Sequence, residues 1–295
     1  MVRRREAIAV LLANWSKTSA RSRADLRHLV QPATGSALLM DLRTRTLIGA
    51  YGGPAAAAEL VPPGSTLKPF VLAALLRSGK LNSQESFACP GQLRIGERSL
   101  NCSHPRMAGA FQIPSALAYS CNCFVAHFAQ RFERGELAMA LGRAGLASLP
   151  GLLGPREVNG RIATVVGSEA NQLQSLGEDS VLITLAGLAV GYRTLALSAG
   201  VSEMRPIVEG LESAVEYGTA QLACPDGLKK AGVRIAGKTG SVRTPSGARI
   251  AWFAGFAPSR APEVVVAVML QGRSGGADAA PVAGRILEAW KAGNI

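Results

Sequence analysis

Aromatic residues are scarce, at 5% of 295 positions, and no basic run follows the first 28 residues. A protein that tracks single-stranded nucleic acid stacks bases on aromatic rings along a basic groove. The net charge of +12 is therefore not read as a nucleic-acid footprint. Residues 1–28 hold seven Lys/Arg against two acids, and the remaining excess is scattered. A general attraction to an anionic polymer or surface fits that scatter better. The apolar stretch Ala7–Ala13 is far short of the about 20 residues that span a bilayer. There is no C-x-x-C pair and no internal repeat, and low complexity is confined to "PAAAA" at 54–58. These absences remove the short-spaced metal and redox motif and repeat architectures.

What is present suits a well-cored globular chain, 48% hydrophobic and 18% charged. The basic start followed by Ala7–Ala13 resembles a weak export signal, with an Arg run and small residues near Ala20. The other reading is a basic amphipathic helix that is retained. Five cysteines, Cys89, Cys102, Cys121, Cys123 and Cys224, leave at least one unpaired in a monomer. Cys89, Cys102 and His104 have metal-ligand chemistry, but no fourth ligand stands near them in sequence, so no metal site is expected. Cys121 and Cys123, at i and i+2, read as buried small hydrophobes.

Strand patterns lie at both ends of the chain. "GSALLMDLRTRTLIGAY" (35–51) alternates about a polar turn as a hairpin. "VRIAGKTGSVR", "ARIAWFAGFAP" and "EVVVAVMLQG" are three further strands, the first two joined by the turn signal "TPSG". Between them, residues of about 105–230 are rich in Ala and Leu at helical spacing, and "AAPVAGRILEAWKAG" closes as a helix. The pattern predicts an α+β fold: a five-stranded, mostly antiparallel sheet flanked by helices, with an inserted all-helical subdomain. Residues 1–34 form a leader and 35–293 the domain. A ligand cleft is expected between the sheet and the inserted helices.

Three short stretches carry chemistry. "PPGSTLKPF" puts Ser65 and Lys68 on one face of a helix that starts after a Pro-Pro-Gly turn. A helix N-terminus has unpaired N–H groups and a dipole that favours an alkoxide. "YSCNC" gives Ser120 and Asn122 between two helical runs, and "AGKTGS" gives Lys238, Thr239, Gly240 and Ser241 on a strand. The order S-x-x-K, S-x-N, K-T-G, each in its expected context, resembles the transpeptidase domain of penicillin-binding proteins. The likeness runs over about residues 35–293 and extends to "CPG", "AVEYGTA" and "AWFAGFAP".

The resemblance implies a serine acyltransferase that cross-links peptidoglycan and is blocked by β-lactams. Ser65 would be the nucleophile and Lys68 its base, made neutral by burial and by Lys238 across the cleft. Ser120 would relay protons, and Asn122 would bond both Lys68 and the substrate amide. The Lys238 strand would pair with an extended stem peptide, with Gly240 permitting close approach and Thr239 and Ser241 holding the terminal carboxylate. Backbone N–H groups of Ser65 and Ser241 would form the oxyanion hole. No cofactor is implied. The partners implied are peptidoglycan stem peptides, β-lactams and cell-wall synthesis proteins, and the place is the periplasm or outer face of the cytoplasmic membrane.

Two features depart from the family's pattern or invite a rival. About 34 residues precede the hairpin, so a bare domain is expected, without a pedestal or glycosyltransferase. Glu157 with Asn159, and Glu169 with Asn171, invite a β-lactamase reading, in which a glutamate activates the deacylating water. Their spacing does not match the class A loop. A penicillin-recognising sensor is the non-catalytic alternative. If the chain is exported, a Cys89–Cys102 disulfide is expected across "PGQLRIGERSLN", a bridge of roughly 3 kcal/mol in the chain-entropy model.

Overall fold

The computed structural model describes residues 23–106 and 109–295, so the export signal expected within residues 1–22 lies outside the described residues. The strands in chain order are β1 (Ala24–Asp25), β2 (Gly35–Asp41), β3 (Leu47–Tyr51), β4 (Gln92–Ile95), β5 (Arg98–Asn101), β6 (Arg161–Ile162), β7 (Val181–Leu182), β8 (Ala236–Arg243), β9 (Arg249–Ala257) and β10 (Val264–Gln271). The main sheet runs β1-β3-β2-β10-β9-β8, antiparallel except for the parallel β1–β3 pair.

The five expected strands are all there, and the sheet adds a sixth. Two residues are too few for periodicity to reveal β1. It is fixed instead by Leu26, which is fully buried and donates its N–H to Ala50 O at 3.2 Å. Residues 24–30, placed in the leader on sequence, thus pack into the fold. The expected insertion is not all helical either, since β6 and β7 pair antiparallel inside it.

The sheet is covered on both faces. Trp252, Ala254 and Phe256 of β9 point into one core and Ala251, Phe253 and Ala257 into the other, following the two-residue alternation of a strand. The first core is closed by helices at Lys68–Arg77, Asn122–Ala129 and Leu185–Leu197. The second is closed by the C-terminal helix Ala280–Lys291. Among the described residues no helix is long and apolar enough to cross a membrane. β8 is left as a sheet edge beside the inserted helices, and the cleft opens along it.

Candidate active site

Ser65 sits in a 3-10 turn, Gly64–Leu67, that runs directly into the Lys68–Arg77 helix. The Pro-Pro-Gly lead-in shapes that turn. Gly64 adopts a left-handed φ of 54° and donates its N–H to Gly177 O, a conformation that favours glycine. The turn is held from three sides: Thr66 Oγ1 donates to Pro63 O, Tyr192 OH to Thr66 O, and Trp252 Nε1 to Pro62 O. A nucleophile needs such locked support, because small misplacements cost large factors in rate.

The second motif lies in a break between two helices, Ile113–Ala118 and Asn122–Ala129. Ser120 occupies the left-handed region, with φ 56°, which is costly for a residue with a Cβ. This conformation turns its carbonyl and side chain toward Lys68. Lys68 Nζ donates to Ser120 O at 2.6 Å, to Asn122 Oδ1 at 2.5 Å and, more weakly, to Ser120 Oγ at 3.3 Å. Asn122 is held in turn, its Nδ2 donating to Asn101 O at the end of β5.

The third motif lies on β8. Gly240 is where the strand crosses the nucleophile turn, and a Cβ there would stand 2.8 Å from Pro63 O and 3.0 Å from Thr66 Cγ2. The glycine therefore lets β8 approach the Ser65 turn. Thr239 Oγ1 pairs with Thr219 Oγ1 at 2.8 Å, and Ser241 Oγ accepts from Gly275 N–H at 3.0 Å. Ser65, Ser120, Asn122, Thr239, Gly240 and Ser241 all line one cleft. The cleft also takes in Ser103, Glu178, Thr219, Ser274 and Gly276, which sequence reasoning had not singled out. Only Thr219 had a signal, within "AVEYGTA".

Both lysines are fully buried. Burial pulls Lys68 down to about 8, partly offset by the nearby Glu178 carboxylate. Lys238 is pushed well below its usual value by burial and then by the Lys68 charge, and its Nζ has one acceptor, Thr239 O at 3.0 Å. With three acceptors around it, Lys68 is the better stabilised cation.

The penicillin binding protein transpeptidase domain model matches residues 29–288. The chain belongs to the penicillin-binding protein transpeptidase family. It is 26% identical over 278 residues to the peptidoglycan D,D-transpeptidase PbpA of Mycobacterium tuberculosis, covering 79% of this chain and 56% of that protein. It is 28% identical over 234 residues to the probable peptidoglycan D,D-transpeptidase PbpC of Pseudomonas aeruginosa, covering 70% and 41%. The chain thus spans about half the length of the curated relatives it matches. Its fold resembles that of Pseudomonas aeruginosa PBP2 solved in complex with WCK 5153, with a TM-score of 0.78 at 20% identity over 90% of this chain and 75% of that one. The transpeptidase domain of Burkholderia pseudomallei penicillin-binding protein 3, solved without ligand, gives 0.78 at 21% over 89% of each.

Within this transpeptidase fold the two glutamates that suggested a β-lactamase are placed elsewhere. Glu157 is buried and accepts the N–H groups of Leu152 and Leu153, while Asn159 is exposed. Glu169 is exposed, and Asn171 is buried with its Nδ2 on Phe132 O. Neither glutamate lines the cleft; Glu178 does, with its carboxylate held by Arg98 Nη2 at 2.9 Å. The expected Cys89–Cys102 disulfide is not formed, the two sulfurs standing 3.7 Å apart as free thiols.

Proposed function

We propose that the chain is a penicillin-sensitive serine acyltransferase acting on D-Ala-D-Ala stem peptides of peptidoglycan, as a D,D-transpeptidase or carboxypeptidase. The observation that carries this reading is the meeting of three distant motifs in one cleft, with Lys68 bonded to both members of the second motif. Ser65, Lys68, Ser120, Asn122 and Lys238 are the proposed catalytic residues. Thr239, Gly240 and Ser241 are the proposed substrate-binding ones.

In the first step neutral Lys68 takes the Ser65 proton, and Oγ attacks the carbonyl of the penultimate D-Ala. The oxyanion forms against the backbone N–H groups of Ser65 and Ser241. The intermediate collapses as its C–N bond breaks, and the departing D-Ala amine takes the proton back through Ser120. A second amine then accepts the acyl group in transpeptidation, or water in carboxypeptidation, regenerating Ser65. β8, an edge of the sheet among the described residues, offers a strand of backbone partners to the extended peptide. Because this substrate lies outside the cytoplasmic membrane, the chain is proposed to work there, with β-lactams as covalent inhibitors and wall-synthesis proteins as partners.

A β-lactamase is the second reading, favoured by one observation: Glu178 stands in the cleft between the motifs. Intact-mass analysis after incubation with a penicillin tests both. One ring-opened drug per chain, mapped to Ser65 and absent in Ser65→Ala, is the expected result. No adduct and no drug turnover, or an adduct on another residue, overturns the mechanism.

A further inference from the structure

We infer that Cys89, Cys102, His104 and Cys121 form a binding site for a zinc-like divalent cation, built against the back of the S-x-N turn. The sequence supplied no fourth ligand near the first three. The fold supplies Cys121, and the sulfur and nitrogen atoms of the four all lie within 4.8 Å of one another. Sulfurs of Cys89 and Cys102 are 3.7 Å apart, those of Cys102 and Cys121 3.9 Å, and Cys89 Sγ is 3.5 Å from His104 Nε2. A tetrahedral zinc with bonds of about 2.3 Å to sulfur and about 2.0–2.1 Å to nitrogen needs edges of about 3.8 Å and about 3.5 Å. Three of the six edges match these values, and the other three are no longer than 4.8 Å.

The surroundings point the same way. His104 Nδ1 is 2.8 Å from Pro105 O, so Nδ1 carries the proton and Nε2 presents its lone pair to the cysteines. A second hydrogen bond of this kind is the usual support of a metal-bound imidazole. The ring is packed between Phe111 and Tyr119. Two sulfurs accept backbone N–H groups, Cys89 from Gly91 and Cys121 from Phe124, which suits thiolates rather than thiols. Cys121 is an N-cap and not a mid-helix residue, so the rule that i and i+2 diverge does not hold for it. Cys123, 3.5 Å from Cys102, is left as a neighbouring thiol outside the set of four.

Three thiols and a neutral imidazole give three thiolates on binding, and their three protons leave to solvent. No oxidant is needed. Cys121 lies between Ser120 and Asn122, so the cation would pin the turn that holds Lys68. It would also keep in thiolate form three sulfurs that an oxidising compartment would otherwise leave open to bridging.

The test uses the full chain, stripped with a chelator under reducing conditions and titrated with Co²⁺ and then Zn²⁺. One equivalent of cobalt is expected to give sulfur-to-metal charge-transfer absorption with tetrahedral visible bands, bleached by one equivalent of zinc. Cys89→Ser and Cys121→Ser should lose this spectrum, whereas Cys123→Ser and Cys224→Ser should keep it. Circular dichroism checks that each variant is folded. If the first two variants fail to fold, His104→Gln with a weakened and altered cobalt spectrum decides. An octahedral spectrum, substoichiometric uptake, unchanged spectra in all variants, or a Cys89–Cys102 disulfide in fresh protein overturns the inference. These readouts are independent of Ser65 acylation, so they stand or fall apart from the proposed function.

Discussion

Lys68 Nζ lies 2.5 Å from Asn122 Oδ1, a side chain 54 residues further along the chain. That contact joins the nucleophile's helix to the S-x-N turn, and it offers a neutral acceptor to a lysine already weakened as a cation by burial. An amide here lets Lys68 lose its proton without abandoning an anion. The choice of Asn over the isosteric Asp therefore bears directly on the base.

With Lys68 at about 8, its neutral form is the minor one at neutral pH. The rate of penicillin acylation should rise about tenfold per pH unit below that value and level off above it. Asn122→Asp places a carboxylate on the ammonium and raises its pKa. Acylation at neutral pH should then fall about tenfold or more, with the inflection moved to higher pH. Stopped-flow acylation of both proteins across the pH range checks it. An unshifted profile in Asn122→Asp would remove Lys68 as the base.

Gly240→Ala should be costly although it adds one methyl group. Its Cβ would press on Pro63 O and Thr66 Cγ2, and the Pro63 contact is backbone, which cannot step aside. About 1–3 kcal/mol of stability should be lost, seen as a lower urea midpoint. Acylation should slow as well, because relief of the clash moves β8 away from Ser65. A variant with wild-type midpoint and acylation rate would show that the crossing is looser than the structure has it.

The penicillin adduct should be long-lived. Glu157→Gln and Glu169→Gln should leave its lifetime unchanged, since neither side chain reaches the cleft. Glu178→Gln should also leave it unchanged, because the Glu178 carboxylate is committed to Arg98. Timed mass spectrometry after drug removal reads the lifetimes. A short-lived wild-type adduct that Glu178→Gln traps would assign the chain to the hydrolases.

Much of this protein was legible before folding. The alternation in 35–51 and in the last three strands is dictated by a sheet buried on one or both faces, so β2, β3, β8, β9 and β10 could be read directly. S-x-x-K, S-x-N and K-T-G stand in order along the chain, so the candidate catalytic residues were legible through the family resemblance those motifs carry. Local pattern could not fix what depends on long-range meeting of chains. β1 exists because Leu26 finds a core assembled by the other end of the protein. The acceptors around each amine, three for Lys68 and one for Lys238, are likewise set by the fold. Whether Glu157 or Glu178 faces the cleft depends on loop paths that have no periodic signal. Cys121 joins Cys89, Cys102 and His104 only because the β4–β5 hairpin folds back on the Asn122 helix. Sequence spacing reports neighbours along the chain, whereas burial, proton affinity and ligand sets are properties of neighbours in space.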